Sequence, residues 1–120
     1  MDFLLLIVED DAFLRIDLAD ALAAGLGVVP QMRGSLAEAM AYDGRMPDLA
    51  ILDIDLGDGK VFPFADRLAA AGVPILFLSG SRRQDLPDRF QGQMYMSKPY
   101  DEPRLMGIVA ARRAALGGAP

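Results

Sequence analysis

Short apolar runs recur along the chain at residues 3–8, 28–32, 49–53, 74–78 and 93–96. Each is closed by glycine or polar residues. Runs that are apolar at successive positions, without alternation, predict strands covered on both faces. The run at 28–32 is weaker and contains Pro30, which cannot donate to a ladder, so that strand is expected at a sheet edge. Between the runs the period changes to three and four. Leu14, Leu18, Ala21, Leu22 and Gly25 fall on one face of a helix over 12–26, which Gly25 and Gly27 are expected to end. Ser35-Leu36-Ala37-Glu38 has capping-box spacing and opens a short helix through residue 43. A third helix is expected over 61–71, with Pro63 in its first turn and Gly72 after its end. Asp101 reads as the N-cap of a last helix that turns Leu105, Ile108, Val109 and Leu116 to the core. Residues 82–91 hold few apolar side chains and a central Pro87, so at most a turn or two of helix is expected around 87–91. The tail 117–120 is expected to fray.

Strands alternating with helices predict an α/β fold with a parallel sheet covered on both sides, in one domain spanning 1–120. Ligands of such sheets bind beyond the carboxyl ends of the strands. Composition narrows the chemistry. No apolar stretch approaches the ~20 residues of a membrane span, and nothing resembles a cleavable leader. Cysteine is absent, which excludes disulfides and thiolate metal sites and suggests a cytoplasmic home. Histidine is absent too, which removes the usual general base and any Ser-His mechanism. With a net charge of −5 and two lysines, the chain offers no basic stripe for nucleic acid.

The predicted strand ends carry polar groups of unusual coherence. The first delivers Glu9 and Asp10, the third Asp53, the fourth Ser79 and the fifth Lys98. Each has a plainer reading. Asp53 could cap a loop, Ser79 could be a turn residue, and Asp11 most simply caps the first helix. Together they imply more. Carboxylates crowded at one edge raise one another's pKa values, and a cation relieves them. With oxygen ligands alone, that cation is expected to be Mg²⁺. Ser79 and Lys98 would clamp phosphoryl oxygens, and Asp53 would attack phosphorus to form an aspartyl phosphate.

These residues resemble a response-regulator receiver domain of bacterial two-component signalling. The resemblance rests on Ile7-Val8-Glu9-Asp10-Asp11, Leu52-Asp53-Ile54-Asp55, Leu78-Ser79-Gly80 and Tyr95-Met96-Ser97-Lys98-Pro99, in that order. It implies a flavodoxin-like, doubly wound five-stranded sheet of order 2-1-3-4-5. It also implies that Asp53 takes a phosphoryl group from a phosphohistidine on a sensor histidine kinase or a histidine phosphotransfer protein. Mg²⁺ would be bound by Asp10 directly, by Glu9 through water, by Asp53 and by the backbone carbonyl of Asp55. Ser79 stands at the position of the switch hydroxyl and Tyr95 at that of the switch aromatic, with a cis peptide before Pro99. Asp55 and Ser81 stand where the family tunes dephosphorylation. The segment after the fourth strand is similar to a subclass of small receivers whose strand runs into Phe-Ala-Thr-Gly and whose fourth helix is short or disordered. That argues against a dimer built on this helix, leaving a monomer or weak dimer.

The aspartyl phosphate is expected to draw Ser79 toward it, dragging the strand-four loop, with Tyr95 swinging inward to control a downstream protein target. Neither nucleic acid nor membrane is expected as a direct partner. Phe13 and Ile16, off the main apolar stripe of the first helix, are candidates for docking the phosphodonor, unless Phe13 simply packs over the loops. Asp55 and Asp58 could be solvated loop acids, and Lys60 reads as a residue of a solvent loop. The alternative from another class is a phosphatase resembling the haloacid-dehalogenase type, with Asp53 as nucleophile and Asp55 as acid/base. Against it, those enzymes carry the nucleophile on their first strand. A flavin carrier of the same fold would need a hydroxyl-rich loop where this chain has Glu9-Asp10-Asp11.

Overall fold

The computed structural model describes residues 2–117. The expected fraying of 118–120 lies outside them, and Gly117 follows the last helix in a turn. Five strands, Leu5–Val8 (β1), Gln31–Arg33 (β2), Leu49–Leu52 (β3), Ile75–Ser79 (β4) and Met94–Ser97 (β5), form one sheet. Its order is β2-β1-β3-β4-β5 and every pair is parallel, as the sequence predicts. The helices are Ala12–Leu26 (α1), Leu36–Met40 (α2), Phe62–Ala70 (α3) and Glu102–Ala115 (α4).

The two-residue period of each strand divides the core. Leu5, Ile7, Leu49, Ile51, Leu76 and Leu78 meet Leu18 and Leu22 of α1 and Leu105 and Val109 of α4. On the other face Leu6, Val8, Leu52 and Phe77 meet Phe64, Ala65 and Leu68 of α3. No described helix is long and apolar enough to cross a membrane.

Element boundaries depart from the sequence reading in explicable ways. Gly25 stays inside α1, where a Cβ would stand 3.3 Å from Met106 Sδ of α4, and Gly27 alone ends the helix at φ 65°. The Val28 amide is still donated back to Leu22 O, so β2 cannot begin until Gln31. It is nevertheless the edge strand that Pro30 requires. Helix α2 stops at Met40 because Tyr42 turns inward, its hydroxyl bonded to Arg45 O. Leu116 follows the end of α4 and is 47% exposed, so it does not face the core.

The glycine-rich loop after β3 is an antiparallel hairpin, Asp55–Leu56 against Gly59–Lys60. From its turn, the Asp58 carboxylate accepts the Leu36 and Ala37 amides at 2.8 and 3.0 Å and so caps α2 from outside. Ser35 adds the ordinary cap, accepting from Glu38 N at 3.0 Å, while Glu38 reaches Gly34 N.

Between β4 and β5 there is no α-helix, only 3₁₀ turns at Arg83–Asp85 and Asp88–Phe90. The segment is short, as expected, and it is anchored. Leu86 and Phe90 are buried, Arg83 donates to Gln91 O and Gln93 O, and Arg89 forks onto Asp66. Phe90 packs with Phe62 and Phe77 at ring distances of 5.7 and 5.4 Å.

Phe90→Ala should cost about 3–5 kcal/mol, read as a lower denaturation midpoint at unchanged slope, because it empties this cluster. The Ala37 and Leu36 amides hold the Asp58 carboxyl below its usual range. A depressed folded-state value stabilises the fold above the ordinary carboxylate range, and that contribution is lost as pH falls through the folded value. The stability gap between the native chain and Asp58→Asn should therefore close as pH drops below about 4, checked by urea unfolding across pH.

Candidate functional site

The parallel order brings the carboxyl ends of β1, β3, β4 and β5 to one edge of the sheet. Residue by residue, the backbone ladder carries the chemistry to that edge. Glu9 N is donated to Arg33 O and Asp53 N to Val8 O, so both acids leave their strands one position past the last pair. Lys98 N is donated to Ser79 O at 2.9 Å, which sets the lysine beside the end of β4. The peptide between Lys98 and Pro99 is cis.

Glu9 and Asp53 are buried at 1% and 5% exposure, and Asp10 is exposed. Lys98 Nζ lies 2.8 Å from Glu9 Oε1 and 3.3 Å from Asp53 Oδ2. Glu9 Oε2 accepts the Asp11 amide, and Arg15 donates to the Glu9 carbonyl. Asp11 caps α1, accepting the Phe13 and Leu14 amides, as its plain reading had it.

Burial governs the titration of this group. Desolvation pushes the Glu9 carboxyl up to about 7 against the opposing pull of Lys98. It raises Asp53 as well, again with Lys98 opposing. Burial alone would lower Lys98, but the carboxylates of Glu9 and Asp53 outweigh it and hold the ammonium above its ordinary value.

Glu9, Asp10 and Asp53 each offer an oxygen, and these lie within 4.8 Å of one another. The donors are all hard oxygens, two of them on desolvated acids with one cation between them. That set suits a hard cation such as Mg²⁺.

Ser79 is fully buried, and its Oγ accepts the Ser81 amide at 3.1 Å. Ser81 Oγ donates to Asp55 Oδ2 at 3.0 Å, and Lys60 pairs with Asp55 Oδ1. Asp55 and Asp58 are thus engaged acids rather than loosely solvated ones. The Lys60 ammonium, followed by the Ser81 hydroxyl, holds Asp55 below the usual range. Asp55 could serve as acid/base in the phosphatase reading only by giving up these partners. Sequence reasoning missed the role of Lys60. Gly57-Asp58 taken as a two-residue hairpin loop is the signal that would have set it opposite Asp55.

Tyr95 is half-buried against the α2–α3 side of the core, and its hydroxyl is buried with no hydrogen-bond partner. Burial, then the charge of Asp85, raises its pKa. The ring is therefore already largely inside.

Phe13 and Ile16 are 85% and 60% exposed, so Phe13 does not pack over the loops. Phe13 edges an open groove of about 790 Å³ that runs past Leu14 and Asp17 to Lys98, Pro99 and Tyr100. Tyr100 donates to Asp17 Oδ2 at 2.8 Å across that groove, a tie between residues 83 positions apart that no local pattern signals.

No family model and no curated protein matches the chain. Solved structures do. SdrG from Sphingomonas melonis Fr1 is 32% identical over 93% of this chain and 98% of its own, with a TM-score of 0.75. The non-phosphorylated HemR receiver domain from Leptospira biflexa is 26% identical over 92% and 93%, also at 0.75. A two-component response regulator from Clostridium difficile, 20% identical over 96% and 98%, shares the fold at a TM-score of 0.79.

Proposed function

The chain belongs to the response-regulator receivers, which are phosphoacceptor signalling domains, and we propose that Asp53 is the residue in it that takes the phosphoryl group. The observation that carries this reading is the buried Asp53 carboxylate with Lys98 Nζ 3.3 Å away and the oxygens of Glu9 and Asp10 within 4.8 Å.

In this reading an Asp53 oxygen attacks the phosphorus of a phosphohistidine on a histidine kinase or phosphotransfer protein. The new P–O bond forms as the P–N bond breaks, and the electron pair returns to the imidazole. Lys98 and Ser79 bind phosphoryl oxygens on the side of β4 and β5. Glu9, Asp10, Asp53 and the Asp55 carbonyl would hold Mg²⁺, which supplies positive charge against the phosphoryl oxygens. The chain's own residues thus perform both the gain and the loss of the phosphoryl group, and Asp55 and Ser81 tune the loss. Phe13 and Ile16 would meet the donor.

Output follows from the new charge. Ser79, sharing Oγ with the Ser81 amide, turns its hydroxyl proton to the phosphate and draws the loop after β4 with it. Tyr95 responds by seating more deeply, and the changed face of β4 and β5 is read by a downstream protein.

With acetyl phosphate and Mg²⁺, the native chain should take one hydroxylamine-sensitive phosphoryl group and Asp53→Ala none, by intact-mass measurement. Lys98→Ala should label about a hundredfold more slowly, the loss expected for one oxyanion donor. A persistent label in Asp53→Ala would refute the assignment. Steady turnover of a phosphomonoester would favour the phosphatase instead.

A further inference from the structure

Lys60 is one of two lysines in the chain, and the reading above gives it no part. It stands directly opposite Asp55 in the hairpin and pairs with Asp55 Oδ1. The other oxygen, Oδ2, accepts from Ser81 Oγ at 3.0 Å, and the Ser81 amide is donated to Ser79 Oγ at 3.1 Å. An unbroken polar chain therefore runs from Lys60 through Asp55 and Ser81 to the hydroxyl beside the acceptor. The hairpin that presents Lys60 is itself fixed, by Val61 N on Ile54 O and by Asp58 on α2.

Stability does not explain this arrangement. The Lys60 and Asp55 side chains are 63% and 49% exposed, and such pairs contribute little to folding. What the pair does is geometric. Both oxygens of a carboxylate two residues from the acceptor are met by donors, one from the hairpin and one from the loop after β4.

We propose that Lys60 is a positioning residue for the lifetime of the aspartyl phosphate: by holding Asp55 against Ser81, it withholds a carboxylate from the water that hydrolyses phospho-Asp53. Hydrolysis forms a bond from water oxygen to phosphorus and breaks the P–O bond to Asp53. It returns the Asp53 carboxylate, and the released proton leaves with inorganic phosphate. A carboxylate free to accept from that water orients it for attack. With Lys60 in place, Oδ1 is occupied and the water lacks this guide. The inference rests on Asp53 being the acceptor.

The test loads the chain with acetyl phosphate and Mg²⁺, removes the donor by desalting, and follows decay by intact mass. Lys60→Met should decay about three- to tenfold faster than the native chain, less than the ~10² of a fully positioned base. Lys60→Arg should restore the native rate. In Lys60→Met/Asp55→Asn the acceleration should vanish, leaving the rate of Asp55→Asn alone, a coupling that general loosening of the hairpin would not produce. A native or slower rate in Lys60→Met overturns the inference, as does acceleration that survives in the double variant. Those outcomes leave the acceptor reading intact. Failure of the native chain to label, or labelling of Asp53→Ala, sinks that reading and takes this inference with it.

Discussion

A single ammonium set between two desolvated carboxylates holds the working edge of this fold together. Glu9 and Asp53 are nearly inaccessible, and an unpaired buried charge costs several kcal/mol. Lys98 meets both, at 2.8 and 3.3 Å. The sheet order makes this possible. β1 and β3 are neighbours, so their acids leave side by side, while β5 lies beyond β4 and its lysine must reach across the end of that strand. Ser79 sits beneath the crossing, with its carbonyl taken by the Lys98 amide. The carboxylates that are costly to bury are the ones a divalent cation would relieve.

The remainder of the fold is braced against that edge. α2 is five residues long, too short to stand on its own hydrogen bonds, and its first amides are taken by Asp58 from the hairpin that follows Asp53. Gly59, at φ 146°, lets the turn pass Leu36, where a Cβ would come within 3.2 Å of Leu36 Cδ2. Movement at the loop after Asp53 is therefore mechanically shared with the β2–α2 edge on one side. On the other side it is shared with the β4 loop through Ser81.

How much of this the sequence carried depended on range. The strands and the four polar strand ends were legible because each rests on a local apolar run and the residue after it. Asp11 and Asp101 as N-caps were legible for the same reason. What escaped needed a partner from elsewhere. Asp58 looks solvated until α2, 22 positions earlier, is folded against it. Lys60 looks idle until the hairpin register sets it across from Asp55. Leu116 continues the apolar period of α4, but the helix ends before it and no surface remains to cover it. The crossover at 82–91 read as holding few apolar side chains and little helix, and the two it buries, Leu86 and Phe90, anchor it, Phe90 in the aromatic cluster.

The placement of Tyr95 bears on the switch proposed above. Its ring rests against the α2–α3 core while its hydroxyl is enclosed without a partner. Leaving such a hydroxyl unsatisfied costs about 1–3 kcal/mol. Burying the ring returns a gain of similar size. The inward position is thus held by a narrow margin between opposing terms. In that proposal a small displacement of Ser79, on the strand that enters the same core through Phe77, would be enough to tip such a balance. A ring held by a deep, fully satisfied pocket would not respond to a charge placed on Asp53. One held by near cancellation would, and that is the property the proposed switch needs.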